Sequence, residues 1–452
     1  MNKTNISLIA LTLAIIIAVG CKKQELDQIG QNQELKVDPT KIQYQPQTPS
    51  EKKLVENLGK LSDILKMVYF DKANLNVVNA AVYAKAYTDE SILIKDLIYP
   101  ETSILRANKR FAKAVGNPAA VLSNFATAFW AEVRKKGDAE FNGFLSSLKP
   151  DPNNSIILND FGNSSGESGV SIYFPYHDEF IDENYTNPPS VVSVIAATAD
   201  SDEGIGEIPI FNAIGQLSGF NQVLINDDYV SANPTHIIGV NGIEPWDEGG
   251  VTVMNAYPPG DPIDLPGLTR EIKQVHIGSV KIHGKQYDKL ISFTGNGGGS
   301  EIVFTRSDGF LKVLDGQVQA DNFFTPPKTV SRKSIRDKKW VDFSYEWDGD
   351  WEINNHRQVF AIYEDDTRNQ QEISGKISTT LKLSDLITLT VDLISWKVTF
   401  KSDDPIIKQE EMKRESFFVL NRINLTGEMY QGWPVRDKNG PLSYTLNDRT
   451  YY

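Results

Sequence analysis

The sequence predicts an α+β protein, with a small N-terminal helical bundle followed by two mostly antiparallel β-sandwich-like domains. Three observations predict it. Apolar residues recur at helical spacing between Ser50 and Pro150. From Ser155 onward, short β-rich runs alternate with clusters of Gly, Asn, Asp and Pro. From Val330 the runs lengthen, as in LITLTVDLISWKVTF. With 40% apolar and 10% aromatic residues, the 452-residue chain has the material for ordinary core burial.

The amino terminus stands outside that fold. It carries one cation, Lys3, then an apolar run from Ile6 to Val19. The run is short for a membrane-spanning helix, which needs about 20 apolar residues. A charged start and a short apolar stretch are the parts of a secretion signal. The residues Ala18-Val19-Gly20-Cys21 resemble a bacterial lipobox, with Ala18 where Leu is commonest. That resemblance implies cleavage after Gly20 and acylation of Cys21, which anchors the mature chain to a membrane. The plainer alternative is a cleaved signal with a chance cysteine. Cys21 is the only cysteine of the chain, which favours lipidation. Two or three acyl chains, at about 0.8 kcal/mol per buried CH₂, anchor stably. The mature chain then has no thiol left for a disulfide, a thiolate metal site or a nucleophile.

Residues 21–50 are rich in Gln and Pro and read as a flexible tether. Glu25 and Asp27 lie just behind the lipid site. They read equally as a Bacteroidota-type surface-export signal or as plain tether. The formal net charge is −13, and loss of Lys3 makes it −14. That argues against nucleic acid, which requires a basic footprint, and against electrostatic adhesion to anionic lipid.

Residues 51–150 are expected to form the helical domain. Leu54, Leu58, Leu61, Leu65 and Val68 fall on one helix face, with Ser50 as N-cap. The clearest helix starts at Pro118, capped by Asn117, with Val121, Leu122, Phe125, Phe129 and Val133 on one face. Arg134, Lys135 and Lys136 complement its dipole, and Gly137 can end it. Residues 151–329 are expected to form a β-rich domain, and residues 330–452 a C-terminal β-sandwich.

Several motifs could carry chemistry. Gly162 to Gly166 fits G-x-S-x-G, but a strand follows where a hydrolase needs a helix. The glycine-rich stretch from Gly295 to Ser300 also precedes a strand and lacks a Gly-Lys-Ser/Thr, so a hairpin or bulge is expected. The five histidines are His177, His236, His276, His283 and His356, and none lies in an H-E-x-x-H helix. Acidic clusters occur at Asp200, Asp202 and Glu203, and around Asp348, Asp350, Glu364, Asp365 and Asp366. Calcium favours clustered carboxylates on loops, so Asp348, Asp350, Glu364 and Asp366 form a candidate calcium site. Solvated turns on an acidic protein are the plainer alternative.

The segment VFAIYEDDTRNQQEISGKISTTLKL resembles the third-loop region of a C2 domain, with Glu364 and Asp366 at the spacing where C2 domains favour Asp-x-Asp. The segments IYFPYHDEF, NDDYVSANPTHIIGVN, KQYDKLISFTGNGGGSEIVFTR and IYEDD resemble a group of uncharacterised Bacteroidota exported lipoproteins, over roughly residues 155 to 400. The resemblance implies export and β-rich architecture, and it supplies no catalytic residue.

The expected function is that of a lipid-anchored envelope or cell-surface protein, on the outer membrane's periplasmic or surface side. It acts as a binding or structural module for a glycan, a peptide or another envelope protein, and no catalytic residue is assigned. Trp246, Trp347, Trp351 and Trp433 lie near turns and are the first aromatic candidates for such a surface. The rival is a metal-dependent envelope hydrolase using His177 or His236 with nearby carboxylates. A hydrolase requires convergence of such groups in one pocket, whereas a binder requires an exposed apolar or aromatic patch.

Overall fold

A computed structural model describes residues 42–87, 90–136, 139–150, 169–240, 270–284, 288–295, 297–314, 317–325, 328–364, 370–384, 387–401, 406–421, 423 and 427–452. Cys21, the motif at 162–166, Trp246, Asp365 and Asp366 lie outside them. The class is α+β, as expected.

Strand β1 (Ile42–Tyr44) opens the described chain. Helix α1 (Pro49–Val68) follows. Its N-cap is Thr48, two residues before the expected Ser50, because Thr48 and Glu51 close a reciprocal capping box around Pro49. The backbone amides of Thr48 and Gln47 hold the Glu51 carboxyl down at about 2. Leu58, Leu61, Leu65 and Val68 are buried, as their spacing predicts. Then come α2 (Lys72–Tyr83), β2 (Ser91–Leu93), α3 (Ile94–Ile98) and α4 (Lys109–Val115). Helix α5 (Pro118–Lys136) has the expected start, with Ala120 N donating to Asn117 Oδ1 at 3.2 Å. Its Leu122, Phe125, Phe129 and Val133 are buried. Helix α6 is Ala139–Ser147.

The following elements are β3 (Val170–Tyr173), α7 (His177–Phe180), β4 (Ser193–Ala196), β5 (Asp200–Ser201), β6 (Glu203–Phe211), β7 (Leu217–Asn226), α8 (Asp227–Ala232) and β8 (Thr235–Val240). Six strands form one mixed sheet in the order β2-β3-β8-β4-β6-β7. Only β4 and β8 pair in parallel. Strand β1 pairs instead with β5.

The helices do not close a core of their own. Leu58 and Leu65 of α1, Val78 of α2 and Phe129 of α5 share one hydrophobic core with Ile172, Ile195 and Ile237 of the sheet. The expected boundary between 150 and 151 therefore falls inside a core. An amphipathic helix must cover its apolar face, and the sheet supplies the cover.

The second half begins with β9 (Ile272–Ile282), β10 (Ser300–Leu314), β11 (Gln317–Phe324), β12 (Lys328–Val330), α9 (Arg332–Arg336), β13 (Val341–Asp348) and β14 (Arg357–Glu364). It ends with β15 (Gln370–Ser384), β16 (Ile387–Lys401), β17 (Ile406–Lys413), α10 (Arg414–Leu420), β18 (Met429–Tyr430), β19 (Trp433–Pro434) and β20 (Leu442–Tyr451). Strands β13-β9-β20 form one antiparallel sheet, and β11-β10-β14-β17, with β12 beside β10, form another. Their inner faces share a second core, in which Phe304 meets Phe343, Trp347 and Tyr444 at centroid distances of 5.6 to 6.5 Å. This sandwich takes β9 and β10 from before residue 330, so that expected boundary also crosses a core. Strands β15 and β16 pair with each other as a long hairpin. Among the described residues, no helix is long and apolar enough to cross a membrane.

A polar seam joins the two cores. Arg332 of α9 is buried, and its guanidinium donates to the Asp288 carbonyl at 3.0 Å. It also lies 3.4 Å from Asp227 and 3.9 Å from Asp202. On the surface side, Lys333 pairs with Asp178 and Glu179, and Arg336 with Glu179, at 3.0 to 3.1 Å. We expect Arg332→Ala to lower the unfolding free energy by about 3 kcal/mol, because it strips a buried cation from its acceptors. Lys333→Ala should cost less than about 1 kcal/mol, since its pairs are solvent-screened. Urea unfolding of both variants measures the contrast.

Candidate functional site

The residues marked by the sequence go to different places. Asp348 ends β13, where Arg306 Nη1 lies 3.6 Å away and Gln358 Nε2 donates to it. Gln358 also accepts from Trp347 Nε1 at 2.9 Å. Asp348 thus completes a buried structural network. Asp350 pairs with Arg270 nearer the surface. Glu364 is six residues beyond Gln358 on β14, about 20 Å along an extended strand. The described members of the candidate calcium set therefore do not converge. Sequence proximity misleads here because a strand carries its two ends apart.

Glu364 meets other partners instead. Its carboxylate, that of Glu301 and that of Asp288 offer oxygens that all lie within 4.8 Å of one another. Asp288 and Glu364 are buried. Oxygen-only donors of this kind suit a hard divalent cation. Sequence reading missed this grouping, because the three residues belong to a loop, to β10 and to β14 and share no spacing.

The other acidic cluster holds the fold together. Buried Asp200 accepts from Ser292 Oγ at 2.9 Å, from Phe293 N at 3.0 Å and from Thr294 Oγ1. It thereby fastens this loop to the sheet, where Val240 N donates to Ser292 O at 2.9 Å. The approach is so close that a Cβ at Gly239 would strike the Ser292 carbonyl, which is why glycine stands there. The stretch from Gly295 leads directly into β10, and Gly295 and Gly298 both have positive φ. Among the described residues neither the expected hairpin nor a bulge forms there; Gly297 instead bridges Lys289 in parallel, and Gly298 N donates to the Lys289 carbonyl at 3.1 Å.

His236 of β8 is fully buried. Its Nδ1 lies 3.0 Å from Tyr69 Oη and its Nε2 3.2 Å from Asn79 Oδ1, so both nitrogens are engaged. Desolvation pushes its pKa down to about 3. His177 opens α7 with Nδ1 3.3 Å from Glu90 Oε1. Both histidines flank the Phe174 ring, which offers neither of them a ligand. His276 lies on β9 opposite Glu346, His283 Nε2 lies 2.5 Å from Ser443 Oγ, and His356 is exposed. Trp347, Trp351 and Trp433 are buried and serve the core, so the aromatic surface expected of them is not there. An indole beside a turn still buries its large ring when a core lies beneath.

One exposed apolar surface among the described residues lies around the β6–β7 hairpin. A shallow cleft of only about 20 Å³ opens between the end of α1, the start of α2, residues 190–194 and the hairpin. Tyr69, Phe70, Leu75, Val192, Phe211 and Phe220 line it. Lys66 stands on its rim, paired with Asp63 at 2.8 Å and with Glu207, and sits 5.3 Å from the Phe220 ring. Phe70 and Phe220 lie 6.2 Å apart and brace the hairpin against α1. Aromatic walls and one ion-paired edge around so shallow a cleft suit a single apolar side chain of a partner, since an enclosed small molecule needs a far larger pocket. The run IPIFNAIGQLSGF was the available signal, being apolar and uncharged, although a sheet interior reads the same way.

The chain matches no protein-family model, no curated protein and no solved structure.

His236 supplies a pH test. Its folded pKa lies below the unfolded value near 6.5, so its contribution is complete above pH 6.5. The contribution declines as pH falls from 6.5 through about 3. Stability should drop over that window by up to about 1.4 kcal/mol per pH unit from this group. Urea unfolding against pH should show a flatter acid limb in His236→Gln than in wild type.

Proposed function

We propose that this protein is a lipid-anchored envelope protein acting as a binding module, with the apolar cleft beside the β6–β7 hairpin as its ligand surface. The ligand class is an apolar segment of a peptide or of another envelope protein. The cleft carries the reading. Its aromatic and aliphatic lining leaves little to hydrogen-bond a sugar, which weighs against a glycan. A hydrolase needs a base that substrate can reach. His236 is sealed in the core with both nitrogens occupied, and His177 is buried beside Glu90. Support for the anchor comes from the apolar run before Cys21 and from the absence of any other cysteine.

Two measurements test the two halves. Cys21→Ser should abolish metabolic labelling by a palmitate analogue, and undiminished labelling would sink the anchor. Purified protein should bind an apolar fluorescent probe such as N-phenyl-1-naphthylamine. Phe70→Ala should weaken that binding about tenfold, the scale of one apolar side chain's contact. Ile214→Ser lies outside the cleft lining and should leave it unchanged. Equal binding by wild type and Phe70→Ala would remove the cleft from the proposal.

A further inference from the structure

The β6–β7 hairpin has a second exposed surface, its tip. From Ile208 to Asn226 the chain has no charged side chain, although 23% of all residues are charged. At the tip, Ile210 is 36%, Phe211 37% and Ile214 77% exposed. The tip is also held in shape. Asn212 Oδ1 accepts from the Ile214 and Gln216 amides at 3.1 and 2.8 Å, and Gly215 takes the positive φ of the turn. Strand β4 pairs with β6 at Val194 and Glu207, and Phe70 braces Phe220 opposite Pro209, so the part that projects is the tip beyond Pro209. An ordered, uncharged projection ending in exposed apolar side chains has no use in water.

We infer that this tip is a second membrane contact, entering the interfacial layer of the bilayer that holds the acyl anchor. The inference rests on the lipid-anchor reading. Three features select a bilayer as the occupant. First, no residue from Ile208 to Asn226 is charged, so the tip can leave water for the interfacial layer without desolvating a charge. Second, the geometry permits it. The described chain begins at Ile42, which pairs with Ser201, two residues before β6 begins. The strand then reaches the tip in about 30 Å. Cys21 to Ile42 spans at most about 75 Å of extended chain, so anchor and tip can share one bilayer. Third, the energetics fit a second contact. A few exposed apolar side chains bind lipid weakly alone, as a single acyl chain does. Beside an anchor the contact becomes intramolecular, and weak affinity suffices. The arrangement would fix which way the body faces the membrane, which a tether alone does not.

Because Cys21 is the only cysteine, a chain whose residues 1–21 are replaced by a hexahistidine tag is free of thiols, and nickel-chelating lipid can hold it to a vesicle in the place of the anchor. On phosphatidylcholine vesicles that carry this lipid, Ile214→Cys carrying a nitrobenzoxadiazole dye should blue-shift and brighten. The same dye at Ile353→Cys, a comparably exposed apolar site that is 70% exposed, should stay unchanged. With the dye at Ile210→Cys, Ile214→Asp should remove most of the blue shift while leaving the circular dichroism intact. An unmoved Ile214 signal, or an undiminished Ile210 signal in Ile214→Asp, would overturn the tip contact. A shift that appears with rising protein concentration and no vesicles would overturn it in favour of a second copy of the chain. The anchor is read separately by palmitate labelling. Labelling with a silent tip defeats the tip alone, whereas tip insertion without labelling defeats the two-point arrangement through its anchor.

Discussion

Two hydrophobic cores meet across a polar seam, and the buried guanidinium of Arg332 neutralises it. A cation with 1% of its surface exposed has lost nearly all its hydration. Asp227, Asp202 and the Asp288 carbonyl help to replace that water. Tyr176 extends the seam, donating to Asp227 at 2.9 Å while Arg336 lies over its ring at 4.4 Å. Helix α9 thus holds the sandwich to the helix-covered sheet through the buried Arg332 and through Lys333 and Arg336 nearer the surface. No cysteine besides Cys21 exists to do this covalently.

On the helix-covered side, the sheet is closed by helices over most of its face and extends past them at β6 and β7. This overhang makes the cleft and the tip. The base of the hairpin is tied down by Lys66 with Glu207 and by Phe70 against Phe220. Among the described residues the far end has no such partner, and it ends in Ile214. A protein that merely needed a stable sheet would place charges on so exposed a terminal strand, since charges discourage edge association. Here they are absent through the whole hairpin, which fits a surface meant to be covered.

Several residues that the sequence marked for chemistry turn out to build the molecule. Asp200 gathers three donors to pin a loop, Asp348 sits between Arg306 and Gln358, and His236 fills a core position with both nitrogens bonded. Polar side chains next to turns look alike in sequence whether they face water or the interior. What separates them is a partner far away along the chain, such as Ser292 for Asp200. The same blindness hid the grouping of Asp288, Glu301 and Glu364, and placed three tryptophans on a surface they do not occupy.

Local physics made much of this protein legible from its sequence. The helix faces of α1 and α5, the Asn117 cap and the strands all follow from 3.6- and 2-residue periodicities and from capping chemistry, which act within a few residues. The α+β class follows from them. The hydrophobic start ending in a lone Cys21 is likewise a purely local signal. Tertiary structure alone decided what covers each apolar face. It merged the helices with the sheet in one core, drew β9 and β10 into the sandwich, and left the tip of the β6–β7 hairpin exposed among the described residues. Burial is a property of the whole packing, and an apolar run reads the same in a core as on a projecting tip.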